Sequence, residues 1–124
     1  VSLSMGDMPD LVPTLAVAAA FARGETMIRD VAHLRAKESD RLAAVQTELA
    51  KMDISAQIRD DSLVISGGSP SGVKIETYND HRMAMSFAIA GLRIPGMGIK
   101  NESCVAKSFP GFWEVFDQLY DNVL

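Results

Sequence analysis

Apolar positions along the chain change period several times, and the changes mark its elements. Residues 11–23 are alanine-rich and hydrophobic almost all round, with Pro13 near the start and Gly24 after the end. That composition predicts a helix beginning close to Asp10 and buried on most sides. Residues 25–29 alternate like a short strand. A second helix is expected from Lys37 or Ser39, with Leu42, Ala43, Val45, Leu49 and Met52 on one stripe. Residues 54–59 and 62–66 flank the polar pair Asp60-Asp61 and read as a hairpin. Gly67-Gly68-Ser69-Pro70-Ser71-Gly72 has the composition of a linker. Beyond it the pattern predicts a strand at 73–77, a helix at 80–93, a break at Pro95-Gly96, a strand at 97–100, a loop, and a helix at 110–120.

The expected order is α-β-α-β-β, linker, β-α-β-α. It places the chain in the α/β (α+β) class and reads as two copies of one βαβαββ unit. Residues 1–66 would be a first unit lacking its opening strand. Residues 67–72 would be the linker, and 73–124 a second unit lacking its closing strand pair. Unpaired strand edges, and a first residue of Val inside the strand-like tail Val1-Ser2-Leu3, suggest a segment without its natural beginning. The end near Leu124 is expected to be the natural one.

Composition narrows the function classes. With 48% apolar and 23% charged residues, the 124-residue chain is that of an ordinary globular domain. No apolar run is long enough to cross a bilayer, and no secretory signal is visible. The single cysteine, Cys104, excludes an internal disulfide and favours a reducing, cytoplasmic setting. One cysteine and two histidines do not suit a structural zinc site. A net charge of −4 argues against a general nucleic-acid binder but leaves small anions open, because a few converging cations can hold them.

Four clusters could carry chemistry. Tyr78-Asn79-Asp80-His81-Arg82-Met83-Ala84-Met85 sets an acid, an imidazole and a guanidinium at the mouth of a helix with an apolar body. Backbone N–H groups and the helix dipole favour anions there, and Arg82 adds a fork for carboxylate or phosphate. The plain alternative is a capped core helix with a surface ion pair. Asp10 stands at a helix start, where an N-cap is the ordinary role. In Lys37-Glu38-Ser39-Asp40-Arg41, a helix would put Lys37 and Arg41 on one face, as if both met one anion; a Glu38–Arg41 ion pair is the alternative. Lys107 precedes a helix expected to start at Pro110, where a solvated lysine would be unremarkable. Neither Ser108 nor Cys104 has a base at a recognisable spacing, so neither reads as a nucleophile.

Asp7-Met8-Pro9-Asp10, Lys37-Glu38-Ser39-Asp40-Arg41-Leu42, the motif at 78–85, and Lys107-Ser108-Phe109-Pro110 are similar in order and spacing to the EPSP synthases. The resemblance spans nearly the whole chain and implies the C-terminal part of a longer enzyme. It implies the enolpyruvyl-transferase fold, with two domains of three βαβαββ units each closing on substrate. Of one such domain this chain would hold about two units, the last completed by strands from the missing N-terminal part. The reaction implied is transfer of the enolpyruvyl group of phosphoenolpyruvate to the 5-hydroxyl of shikimate 3-phosphate, with phosphate released after a tetrahedral intermediate.

On this resemblance Glu38 would protonate the methylene carbon. Asp10 would hold the shikimate hydroxyls, and Asp10 or Lys37 would take the hydroxyl proton. Arg41 and Arg82 would clamp the phosphoenolpyruvate carboxylate and Lys107 its phosphate, with Asp80 and His81 beside the clamp. His33 stands where some members carry an asparagine that contacts shikimate 3-phosphate. No cofactor or metal is implied, and the partners are the two substrates and the N-terminal part, with no nucleic acid or membrane. The UDP-N-acetylglucosamine enolpyruvyl transferases share fold and chemistry but are disfavoured by these motifs. A non-catalytic domain that binds a partner is the reading from a different class.

Overall fold

The computed structural model describes residues 1–37 and 39–123, the side chains of Tyr120, Asn122 and Val123 excepted. Glu38 and Leu124, on which a catalytic expectation and the expected chain end fall, lie outside the described residues.

The chain runs β1 (Ser2–Ser4), α1 (Val12–Phe21), β2 (Gly24–Arg29), α2 (Arg41–Lys51), β3 (Ser55–Arg59) and β4 (Ser62–Gly67). It continues through β5 (Lys74–Ile75), α3 (His81–Ala90), β6 (Gly98–Ile99) and α4 (Phe112–Val123). Short 3-10 turns at Pro9–Leu11, Ala32–Ala36 and Glu102–Lys107 lead towards α1, α2 and α4. The first six elements thus have full βαβαββ order. The opening strand counted as missing is present: Ser2–Ser4 pairs in parallel with Met27–Arg29. Three exposed residues carry little pattern of their own, and only the neighbouring strand makes them a strand.

The four-stranded sheet is ordered β1-β2-β4-β3. β3 and β4 form the expected hairpin, antiparallel in a register that pairs Arg59 with Ser62. β4 also pairs antiparallel with β2. β5 and β6 make a separate parallel pair. Gly67 sits where β4 passes the end of α1, and a Cβ there would lie 1.9 Å from the Ala22 carbonyl oxygen. The segment read as a linker is held against the first half: the Gly68 N–H donates to the Ala20 carbonyl and the Ser71 N–H to that of Met52.

α1 is buried as its composition requires, with Val12, Ala16 and Ala20 fully enclosed, and it packs on α3, β4 and α2. α2 buries Leu42, Val45 and Leu49 as expected, with Met52 buried just past its end, but Ala43 is exposed and Ala44 takes the inner position instead. Each such large aliphatic side chain contributes about 1.5–3 kcal/mol on burial. One apolar core joins both halves, taking Ile28, Ile65 and Leu49 from the first and Ile75, Met83 and Phe87 from the second. Cys104 is buried in a smaller cluster with Ala84 and Val105. Packing of α1 and α2 against α3 brings the N-terminal ends of α2 and α3 together, and that is where the polar clusters meet.

Candidate functional site

Arg41 is the first residue of α2, and Asp40 caps the helix by accepting from the Ala43 N–H at 3.1 Å. The helix therefore starts later than expected. Lys37 closes the preceding 3-10 turn in extended backbone, so Lys37 and Arg41 do not share a helical face. The same-face reading fails because Ser39 and Asp40 break the helix between them. Lys37 is exposed, yet its charge still reaches Asp10 and helps hold that carboxyl down.

Asp80 caps α3 and accepts from the Arg82 backbone N–H at 2.9 Å. Its carboxylate is fully buried and also receives the Arg41 Nε at 2.8 Å, the Arg41 Nη2 at 3.2 Å and the Ser39 hydroxyl at 2.8 Å. Burial pushes the Asp80 pKa up, but the hydrogen bonds from Arg41 and Ser39 outweigh it. The carboxyl ends below the usual carboxylate range and is ionised at neutral pH.

Asp10 lies in the 3-10 turn before α1 and is half exposed. It does not act as the cap of α1; its Oδ1 accepts from Arg41 Nη1 at 2.8 Å, and Oδ2 is 3.8 Å from Arg82 Nη2. The Arg41 hydrogen bond lowers its pKa against the opposing effect of burial, with the charges of Arg82, Arg41 and Lys37 adding to the lowering. Arg41 itself is only 1% exposed and bridges the two carboxylates. Asp10, Arg41, Asp80 and Arg82 thus form one continuous network.

His81 and Arg82 open α3. His81 is buried, Arg82 is partly so, and two of their polar atoms, His81 Nδ1 and Arg82 Nε, are enclosed without a hydrogen-bond partner among the described residues. Buried donors and acceptors in this state are uncommon, and each calls for an explanation such as a catalytic role, a bound ion or a water. Lys107, at the end of the turn Glu102–Lys107, is exposed and donates to the Asn79 backbone carbonyl, which joins it to the approach to α3. His33 is exposed on the turn Ala32–Ala36 and makes no hydrogen bond or ion pair among the described residues, so it stays outside the network.

Two contributors were not singled out from the sequence alone. Ser39 fastens the loop before α2 to Asp80. Asn79 receives Lys107 on its carbonyl and Asn101 Nδ2 on its side chain at 3.2 Å. Both lie inside motifs already noted, but a hydroxyl or amide whose partner is 41 or 22 residues away leaves no periodic signal. Among the described residues there is no cluster of three or more metal-ligating side chains and no helix long and apolar enough to cross a membrane.

Known proteins resemble this chain in sequence and fold. The chain is 53% identical over 121 residues to a 3-phosphoshikimate 1-carboxyvinyltransferase of Syntrophobacter fumaroxidans, covering 96% of this chain and 29% of that protein. It is 55% identical over 112 residues to the enzyme of the same name from Thermosynechococcus vestitus, covering 89% and 26%. The structure of EPSP synthase from Acinetobacter baumannii superimposes with a TM-score of 0.80 at 39% identity, covering 86% of this chain and 26% of that one. The enolpyruvyl transferase NikO from Streptomyces tendae follows with a TM-score of 0.68 at 26% identity, over 89% and 24%. The α/β fold is therefore that of the enolpyruvyl transferases, and the chain spans less than a third of the length of these relatives. A sequence model of the family described as EPSP synthase (3-phosphoshikimate 1-carboxyvinyltransferase) matches residues 1–116, and the chain belongs to that family.

Proposed function

We propose that this chain carries the phosphoenolpyruvate half of a carboxyvinyl-transfer site, acting on phosphoenolpyruvate and shikimate 3-phosphate together with an N-terminal part of the same enzyme. The observation that carries the reading is the mouth of α3, where Arg82 Nε and His81 Nδ1 are buried and have no hydrogen-bond partner among the described residues, beside a network of ionised groups. A small anion entering there gains the Arg82 Nε donor, the N-terminal dipole of α3 and nearby Lys107.

In this reading Arg82 and Arg41 take the carboxylate of phosphoenolpyruvate and Lys107 its phosphate. Arg41 Nη1 is now held by Asp10, so an incoming carboxylate exchanges with Asp10 on that atom. The exchange releases Asp10 towards the shikimate hydroxyls. It also raises its pKa, because the anion neutralises the cations that hold the carboxyl down. Asp10 becomes a better proton acceptor once phosphoenolpyruvate is in place, and Lys37 is the other candidate base. Glu38 supplies the proton to the methylene carbon as the 5-hydroxyl adds to the neighbouring carbon. Phosphate then leaves as the new methyl group returns a proton to Glu38, which re-forms the double bond as the enol ether. Asp80 keeps Arg41 aligned throughout and touches neither substrate.

The test is a chimera in which residues 1–124 replace the matching segment of the Syntrophobacter fumaroxidans relative. Phosphate release that requires both substrates and is lost in Glu38→Gln supports the reading. A folded chimera that releases none, beside an active parent, rejects it.

A further inference from the structure

Thr77, Tyr78, Asn79 and Asp80 form a tight turn immediately before α3. The Thr77 carbonyl accepts from the Asp80 N–H at 2.9 Å, and the two central residues both have positive φ, 57° at Tyr78 and 55° at Asn79. These are marks of a type I′ turn, whose central positions favour Gly, Asn and Asp. Asn79 suits its place. Tyr78 does not, since an aromatic residue with left-handed backbone is strained and must be held there by its surroundings.

Glu48 supplies the hold. It sits in the second half of α2, is fully buried, and directs both carboxylate oxygens at the segment before α3. Its Oε2 accepts from the Tyr78 hydroxyl at 2.7 Å, and its Oε1 accepts from the Glu76 backbone N–H at 2.9 Å. Lys51 Nζ, at 2.9 Å from Oε1, supplies the balancing charge. A buried carboxylate with three donors is a fixed anchor. From it the chain runs Tyr78, Asn79, Asp80, Arg82. The Asn79 carbonyl takes Lys107, and Asp80 caps α3 at the backbone of Arg82.

We propose that Glu48, acting through the Tyr78 hydroxyl, is a positioning residue for phosphoenolpyruvate binding, given the carboxyvinyl-transfer reading above. It holds the left-handed turn that sets Lys107 and Arg82 at their mutual spacing. Neither Glu48 nor the Tyr78 hydroxyl needs to touch substrate. Relaxing the turn moves both cations relative to each other, so the loss falls on the grip for the small anion.

The experiment uses the chimera with Tyr78→Phe, which keeps the ring and removes the hydroxyl. We expect KM for phosphoenolpyruvate to rise roughly three- to tenfold, in proportion to one lost hydrogen bond, with kcat and KM for shikimate 3-phosphate within about twofold. Glu48→Gln keeps a hydrogen-bonding group opposite the hydroxyl and is expected to stay near the parent KM. Glu48→Leu removes the same bond and also the acceptor of the Glu76 N–H, so it is expected to raise KM for phosphoenolpyruvate at least as far, and adding Tyr78→Phe to it changes nothing further. Where Glu48→Leu does not fold, Tyr78→Phe and Glu48→Gln carry the comparison. A folded Tyr78→Phe enzyme with unchanged KM for phosphoenolpyruvate overturns the assignment, as does a kcat loss equal to the KM effect. If the unsubstituted chimera is inactive, the functional reading fails by itself. The anchor is then tested by NMR of the 124-residue chain, where Tyr78→Phe is expected to abolish the positive φ at position 78. Retention of that φ overturns the anchor.

Discussion

Arg41 grips Asp80 with two donors, Nε to Oδ2 at 2.8 Å and Nη2 to Oδ1 at 3.2 Å, across 39 residues of sequence. Both side chains are buried, and the pair joins the start of α2 to the start of α3. Removing one partner leaves the other charge enclosed without its main counter-charge, with Ser39 and the Arg82 N–H still on Asp80 and Asp10 still on Arg41. Arg41→Met is therefore expected to destabilise the chain by about 3–5 kcal/mol in urea unfolding. The double variant Arg41→Met with Asp80→Leu should recover a large part of that loss, because no unpaired charge remains. A loss below about 1 kcal/mol for Arg41→Met would show that the pair does not hold the two helix ends together.

The same network fixes the response to acid. Asp80 and Asp10 both have pKa values lowered by folding, mainly through their bonds to Arg41. A lowered folded pKa means stabilisation that is complete above the unfolded value near about 4 and lost as pH falls through the folded value. The urea midpoint is expected to drop steeply below about pH 4, and less steeply in Asp80→Asn. Parallel slopes for the two proteins would place the acid sensitivity elsewhere.

Tyr78 sets the opposite limit. Burial first, and its bond to the Glu48 carboxylate second, push the phenol up to about 12. Its neutral form is favoured by folding, so that contribution is complete below about pH 10 and lost as pH rises towards the folded value. Alkaline unfolding followed by circular dichroism should show a loss of stability over that window that is absent in Tyr78→Phe. An identical alkaline profile for the variant would mean that the hydroxyl is not buried against Glu48.

Much of this was legible in the residues. Periodicity located the four helices, and the glycine-rich and Asp60-Asp61 breaks placed the hairpin, because these depend on local burial and turn chemistry. The mouth of α3 was visible because an N-cap and a charged triplet stand next to an apolar helical stripe. Elements defined by distant partners were less visible. β1 is a strand through pairing with β2, and the start of α2 slips to Arg41 because Asp40 makes the better cap. That slip separates Lys37 from Arg41, and the expected cap at Asp10 yields to a stronger partner, the Arg41 guanidinium. The same holds for Ser39, Glu48 and Asn79, each of which acts on a residue at least 22 positions away.

The most direct test of the account is the KM for phosphoenolpyruvate in the chimera carrying Arg82→Gln. Losing a charge-assisted contact to the substrate is expected to raise it roughly 10- to 100-fold, with KM for shikimate 3-phosphate changed far less. An unchanged KM for phosphoenolpyruvate in a folded, active Arg82→Gln enzyme would contradict the assignment of the α3 mouth as the anion clamp.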